Sequence, residues 1–277
     1  MPETTIGGLT KEEIVERVHK MTLLDDALMT VTFKDDIELV QFVLRIILNM
    51  DDLIVVSVHT QDKHQSQIGK SVIFDVKVKD SKGRHFDIEI QRANDEALMK
   101  RARYYQGVLD GYILKIGQEY KDLPDTYIIF IMEKDIFGLG WAVYEVERYI
   151  KGTDKKIEDG SHLIFVNASV IEDSPIGRLM ADMREADPKK MNYSIVAEKV
   201  DQIKNGKGGY ENMCAFSERM IAYGEARGRA EGEARGFGKV ALRMLKNSMP
   251  VKEIQLLTEL SLEQIQAIAK QNGLAAL

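Results

Sequence analysis

Cysteine is almost absent: Cys214 stands alone in 277 residues, which excludes an internal disulfide framework and a thiolate metal site and suits a reducing compartment. Long apolar runs are missing too. Val43–Leu48 is interrupted by Arg45 and Tyr127–Met132 is equally brief, both far too short to span a bilayer, so no membrane partner is expected. Met1–Thr10 lacks the basic start and apolar core of a signal peptide, and a cytoplasmic location is the expectation. There is no excess of positive charge either, since the net charge of −6 argues against a basic DNA-wrapping surface while permitting a local basic groove. The five histidines, at positions 19, 59, 64, 85 and 162, show no zinc-ligand spacing, and neither a GxSxG elbow nor a GxxxxGK[ST] phosphate loop occurs. What remains, 44% hydrophobic and 30% charged, is ordinary globular composition.

The stretch Ser71–Gln91 reads as a β-hairpin, with Phe74, Val76 and Val78 on one side of the first strand and Phe86, Ile88 and Ile90 on one side of the second. Ser81-Lys82-Gly83 suits a three-residue loop with a left-handed Gly83, which pairs Asp80 with Arg84. That register sets Asp75 opposite Glu89, Lys77 opposite Asp87 and Ile73 opposite Gln91. Two facing carboxylates repel by roughly 0.2–1 kcal/mol unless a divalent cation lies between them. A half-exposed hairpin with these acids in water is the plainer alternative. If a cation is shared, Gln91 can orient a water without taking its proton, and Arg101 and Tyr104 on the following helix can hold a phosphate.

Around the hairpin, Thr10 to Glu13 forms a capping box for a helix to about Lys20, and a second helix runs from Asp35 or Asp36 through Asn49. Its polar stripe of Glu38, Gln41, Arg45 and Asn49 is either the solvent side or a route for Glu38 into the site. Leu53–Thr60 reads as a strand, Gln61–Lys70 as a loop, Glu96 to about Lys115 as a long helix, and Tyr127–Met132 as an apolar strand covered on both faces. The core is thus an α/β sandwich with an antiparallel start and a crossover helix before the fourth strand. Further strands are expected at Trp141–Ile150 and His162–Ala168, and helices from Ser174 to Ile203 with Met180, Met183 and Met191 as core filler. The expected domains are 1–204, a Gly-rich charged segment 205–238 and a helical appendage 239–277. The glycines at 224, 228, 232 and 236 fit a solvated linker or a self-association helix. Three short helices follow, one ending near Ser248, one starting at Pro250 and one capped by Ser261; homo-oligomer formation through this region is an open expectation.

From DDIELVQFVLRIIL, GKSVIFDVKVKDSKGRHFDIEIQ, RARYYQGVLDG and QEYKDLPDTYIIFI, the chain resembles the PD-(D/E)XK nuclease superfamily, and within it the Rpn recombination-promoting nucleases, also described as transposases, over roughly Thr22 to Asp135. The resemblance implies a restriction-endonuclease-like αβββαβ core of a mixed sheet flanked by helices, here with a helical C-terminal extension. It implies a Mg²⁺-dependent (or Mn²⁺-dependent) endonuclease acting on DNA, tied to mobile elements, recombination or defence. Asp75 and Glu89 would be the acidic metal ligands with Glu38 completing the shell, Gln91 would stand in the lysine position, and Arg101, Tyr104 and Lys77 would face DNA. Glutamine for lysine points to slow or conditional cleavage. A nuclease fold that no longer cuts and serves as a DNA-binding or assembly module is the competing expectation.

Overall fold

The computed structural model describes residues 11–64, 72–92, 97–206, 240–247, 249–258, 260 and 262–271. The chain divides into two compact units, Met1–Phe216 and Ser217–Leu277. The glycine-repeat segment lies outside the described residues, as do the caps expected at Thr10, Asn94 or Asp95, and Ser261.

In the first unit, helices α1 (Lys11–Lys20), α2 (Asp26–Phe33) and α3 (Ile37–Leu48) precede strands β1 (Val55–His64), β2 (Val72–Asp80) and β3 (His85–Gln91). Then come α4 (Leu98–Ile113), β4 (Thr126–Met132), β5 (Val143–Val146), β6 (Ser161–Asn167), α5 (Pro175–Arg184) and α6 (Ser194–Asn205). The six strands form one mixed sheet in the order β1-β2-β3-β4-β6-β5. β1, β2 and β3 are antiparallel, β3 to β4 and β4 to β6 are parallel, and β5 returns antiparallel at the edge.

The sheet lies between two helical layers. Val76, Val78, Phe86, Ile88 and Ile90 pack with residues of α2, α3, α5 and α6, whereas Val72, Phe74, Phe130 and Phe165 pack with Leu98, Ala102 and Leu109 of α4. β4 explains its own unbroken apolarity: Tyr127, Ile129 and Ile131 face one layer, and Ile128, Phe130 and Met132 the other. Met180 and Met183 are core, as expected.

Three expectations change. α2 is an additional helix, and its mixed apolar and threonine composition carries little helical periodicity to reveal it. β1 runs on to His64 through residues expected in a loop, because pairing with Val72–Phe74 supplies ladder bonds that its polar composition does not advertise. The polar stripe of α3 is an anchor for β1: the Gln41 Oε1 accepts from the Val55 N–H (3.0 Å) and the Arg45 Nε donates to the Leu53 carbonyl (2.9 Å). Asn49 ends α3 with left-handed backbone at φ 51°.

The second unit holds α7 (240–246), α8 (Val251–Thr258) and α9 (Leu262–Gln271) around a small core of Ala241, Leu245, Ile254, Ile265 and Ala269. These are the three short helices expected.

Candidate active site at the splayed end of the hairpin

The hairpin closes as its residues dictate. Gly83 adopts φ 81°, and Asp80 pairs through its N–H with the Arg84 carbonyl (3.1 Å). The buried Asp80 carboxylate accepts from the Lys82 and Arg84 amides and pairs with the Arg84 guanidinium. Lys77 lies opposite Asp87, as expected, and the β2–β3 ladder continues to Val76 opposite Ile88.

At Asp75 the regular pattern breaks, and the break builds the site. Phe74 packs toward α4 while Val76 and Val78 pack toward α3, so these three residues do not share one face. Across the sheet, β1 pairs Thr60 with Val76 and Asp62 with Phe74; the intervening Gln61 has left-handed backbone at φ 53°. A left-handed residue within a strand kinks it locally without shifting the register. The Asp75 N–H donates to Glu89 Oε1 (3.0 Å), and the Ile90 N–H donates to Asp75 Oδ2 (3.3 Å). Each carboxylate thus takes an amide from the neighbouring strand. Gln61 Nε2 bridges Asp75 Oδ1 (3.2 Å) to the Thr30 hydroxyl of α2.

Glu89, Asp87 and Gln91 alternate with the apolar residues of β3 and so face α4. From α4, Arg101 donates to Glu89 Oε2 (3.0 Å), to Gln91 Oε1 (2.9 Å) and to the Tyr105 hydroxyl (3.1 Å). Its guanidinium also lies over the Tyr105 ring. Glu89 is 1% exposed and Asp87 0%. Among the described residues, neither Asp87 carboxylate oxygen meets a donor other than the neighbouring Glu89 carboxyl.

This crowding shifts the acids. Burial, then the negative charge of Asp26, pushes the Asp75 carboxyl up to about 6. Burial pushes Glu89 well above the usual range, helped by Asp87 and Asp75; for Asp87 burial is joined by the charge of Asp75. Arg101 opposes all three shifts without cancelling them. Buried carboxylates short of positive charge, with oxygen donors alone, fit a hard divalent cation. Mg²⁺ commonly uses one or two protein carboxylates, with water and phosphate completing its shell. Among the described residues, no group of three or more His, Cys, Asp or Glu side chains is arranged to hold a metal ion.

The other expected residues are placed differently. Glu38 is exposed on the first turn of α3, and no described contact joins it to Asp75 or Glu89; the helical acid whose charge reaches Asp75 is Asp26 of α2. Lys77 is 7% exposed, paired with Asp62 and seated over the Tyr112 ring (4.1 Å), which removes it from a free phosphate-binding role. Tyr104 is on the exposed side of α4. Asp26, Gln61, Asp87 and Tyr105 join the site without having been anticipated. Asp87 alone had a legible signal, since alternation places it on the same face as Glu89 and Gln91.

Residues 35–167 match the family model described as PD-(D/E)XK nuclease family transposase. Over this segment the chain is similar to that nuclease and transposase family. The match takes in α3 through β6 and every residue of the Asp75, Asp87, Glu89, Gln91 and Arg101 cluster, while Asp26 lies before it. Searches of curated proteins and of solved structures return no match. No described helix is long and apolar enough to cross a membrane.

Proposed function

We propose that this PD-(D/E)XK domain is a Mg²⁺-dependent endonuclease that hydrolyses DNA phosphodiester bonds in recombination, mobile-element movement or defence. The observation that carries the proposal is the meeting of Asp75 and Glu89 at the splayed end of β2 and β3, beside Gln91 and Arg101, with more carboxylate charge than local cations neutralise. Asp75 and Glu89 would hold Mg²⁺ or Mn²⁺. The ion would supply a Lewis acid for the phosphate and acidify a water. Gln91 orients that water through its amide and can neither carry charge nor accept its proton. Arg101, held by Glu89, Gln91 and Tyr105, offers its planar guanidinium to the scissile phosphate. Asp87, fully buried on the same strand face as Glu89, adds a further acidic group to the site.

The test is nicking of supercoiled plasmid in Mg²⁺ against EDTA. The parent protein is expected to nick only with the metal and Asp75→Ala to be inactive. Equal cutting by Asp75→Ala would refute the assignment.

One observation favours the competing reading of a nuclease fold used for binding or assembly. Arg101 already engages both Glu89 and Gln91, as a structural cation would. Calorimetry separates the two: no Mg²⁺ uptake, with DNA binding retained by Glu89→Gln, supports the non-cutting role.

A further inference from the structure

Beyond the C-terminal end of β4 the chain forms a loop that the proposed cleavage chemistry does not use. The Glu133 N–H donates to the Gln91 carbonyl (3.1 Å), so the loop starts directly beside the candidate site. Asp135 organises it. Its Oδ1 accepts from the Phe137 N–H (3.1 Å), the Gly138 N–H (3.0 Å) and the Tyr144 hydroxyl (2.8 Å), and its Oδ2 from the Gly140 N–H (2.8 Å). Gly138 and Gly140 adopt φ 68° and 74°, a path that side-chain-bearing residues rarely follow. At the far end, the Trp141 N–H donates to the Tyr144 hydroxyl, and the Trp141 carbonyl accepts from Asn167 Nδ2, both at 3.1 Å. A loop tied down at this density nevertheless leaves Leu139 60% and Trp141 62% exposed.

The loop sits on the α4 side of the sheet, the side that carries Glu89 and Arg101. Arg101 lies over Phe130 (5.8 Å), Phe130 stacks on Phe165 (5.7 Å), and Phe165 meets Phe137 edge-on (5.4 Å). Phe137 contacts Tyr144 (4.7 Å), and Tyr144 stacks with Trp141 (5.9 Å, 22°). Trp141 leads into β5, and β3 and β5 are three strand spacings apart, about 14 Å. That is about four nucleotide steps. A stable protein partner needs about 800 Å² per side. A projecting indole and leucine offer much less, an area matched to one or two bases.

Resting on the nuclease reading, we propose that the loop 135–141 is a preformed stacking platform for unpaired DNA bases. Trp141 stacks on a base about four nucleotides from the scissile phosphate and Leu139 wedges against its neighbour, so that frayed or single-stranded DNA is preferred over intact duplex.

Trp141 is the only tryptophan in the chain, so intrinsic tryptophan emission reports on it alone. Full-length protein in EDTA is titrated with fluorescein-labelled oligo(dT) and, separately, with a blunt duplex, following tryptophan emission and label anisotropy together. The expected result is saturable quenching by oligo(dT) at lower concentration than by duplex. Trp141→Ala should bind oligo(dT) about tenfold more weakly, while Trp141→Phe keeps most of the affinity. Binding by anisotropy with unchanged emission would overturn the platform and leave the nuclease reading standing, as would equal affinity for duplex. Failure to bind either DNA in EDTA would overturn the platform, whereas the nuclease reading, whose site needs the metal, is decided by the plasmid assay. Emission that changes with protein concentration in the absence of DNA would show a second copy covering the loop, and would overturn the proposal.

Discussion

Replacing Asp75 by Asn should make the protein more stable while removing its proposed activity. In the folded chain the Asp75 carboxyl titrates near 6, against an ordinary value of 3.8, because it is buried close to Asp26. At 1.36 kcal/mol per unit, holding this group ionised in the fold costs about 3 kcal/mol. The sign follows from linkage: a carboxyl raised on folding lowers stability fully above pH 6, and the penalty fades as pH falls toward 3.8. Asn keeps an oxygen for the Ile90 N–H but turns a donor toward Gln61 Nε2, which offsets about 1 kcal/mol. The net gain is about 2 kcal/mol at pH 8 in EDTA. For a unit of this size that corresponds to a rise of about 4–8 °C in Tm. At pH 4 the advantage should disappear. Mg²⁺ at a hundredfold excess over Kd stabilises the parent by about 2.7 kcal/mol, so the ranking should close or invert in metal. Thermal melts of both proteins at pH 4 and pH 8, with EDTA and with Mg²⁺, provide the assay. A parent at least as stable as Asp75→Asn at pH 8 in EDTA would refute the reasoning, as would an undiminished advantage at pH 4.

Arg101→Met should destabilise the fold by about 3 kcal/mol, because Glu89 is left buried without its cation, and by less as pH falls, since burial raises the Glu89 carboxyl; urea titrations over a pH series check this. Nicking rate should fall as pH drops through about 6, since protonated Asp75 is a poor cation ligand, and a flat profile from pH 5 to 8 would contradict it. Gly83→Ala should lower stability by about 1 kcal/mol through its left-handed backbone, with no effect on the site, as a urea midpoint paired with a nicking rate would show. A fragment ending at Gly209 should melt cooperatively, placing the fold's stability in the first unit; an insoluble fragment would overturn that boundary.

The hairpin, its turn and its register were legible because they depend on local rules: alternation, the left-handed glycine and a fixed side-chain period. The ladder follows that register as far as Val76 opposite Ile88, and beyond it the Asp75 N–H bonds the Glu89 side chain. How they meet was not legible. The kink depends on Gln61, a polar residue in a strand whose pairing partner supplies the reason for its being a strand at all. Asp26 reaches the site only because α2 packs on β1 and β2, a tertiary event without a sequence period. The partners of Lys77 were not legible for a related reason, because neither Asp62 nor Tyr112 is adjacent in the chain. In α3 the periodic polar stripe was visible, but its use as an anchor for β1 depends on where that strand begins.

The central claim is that Asp75 and Glu89 share one divalent cation. Anomalous diffraction from crystals grown with Mn²⁺ tests it most directly. The account predicts one manganese peak with an Asp75 oxygen and a Glu89 oxygen each at about 2.1 Å. A peak elsewhere, or none there while Arg101 keeps its bonds to Glu89 and Gln91, would contradict it.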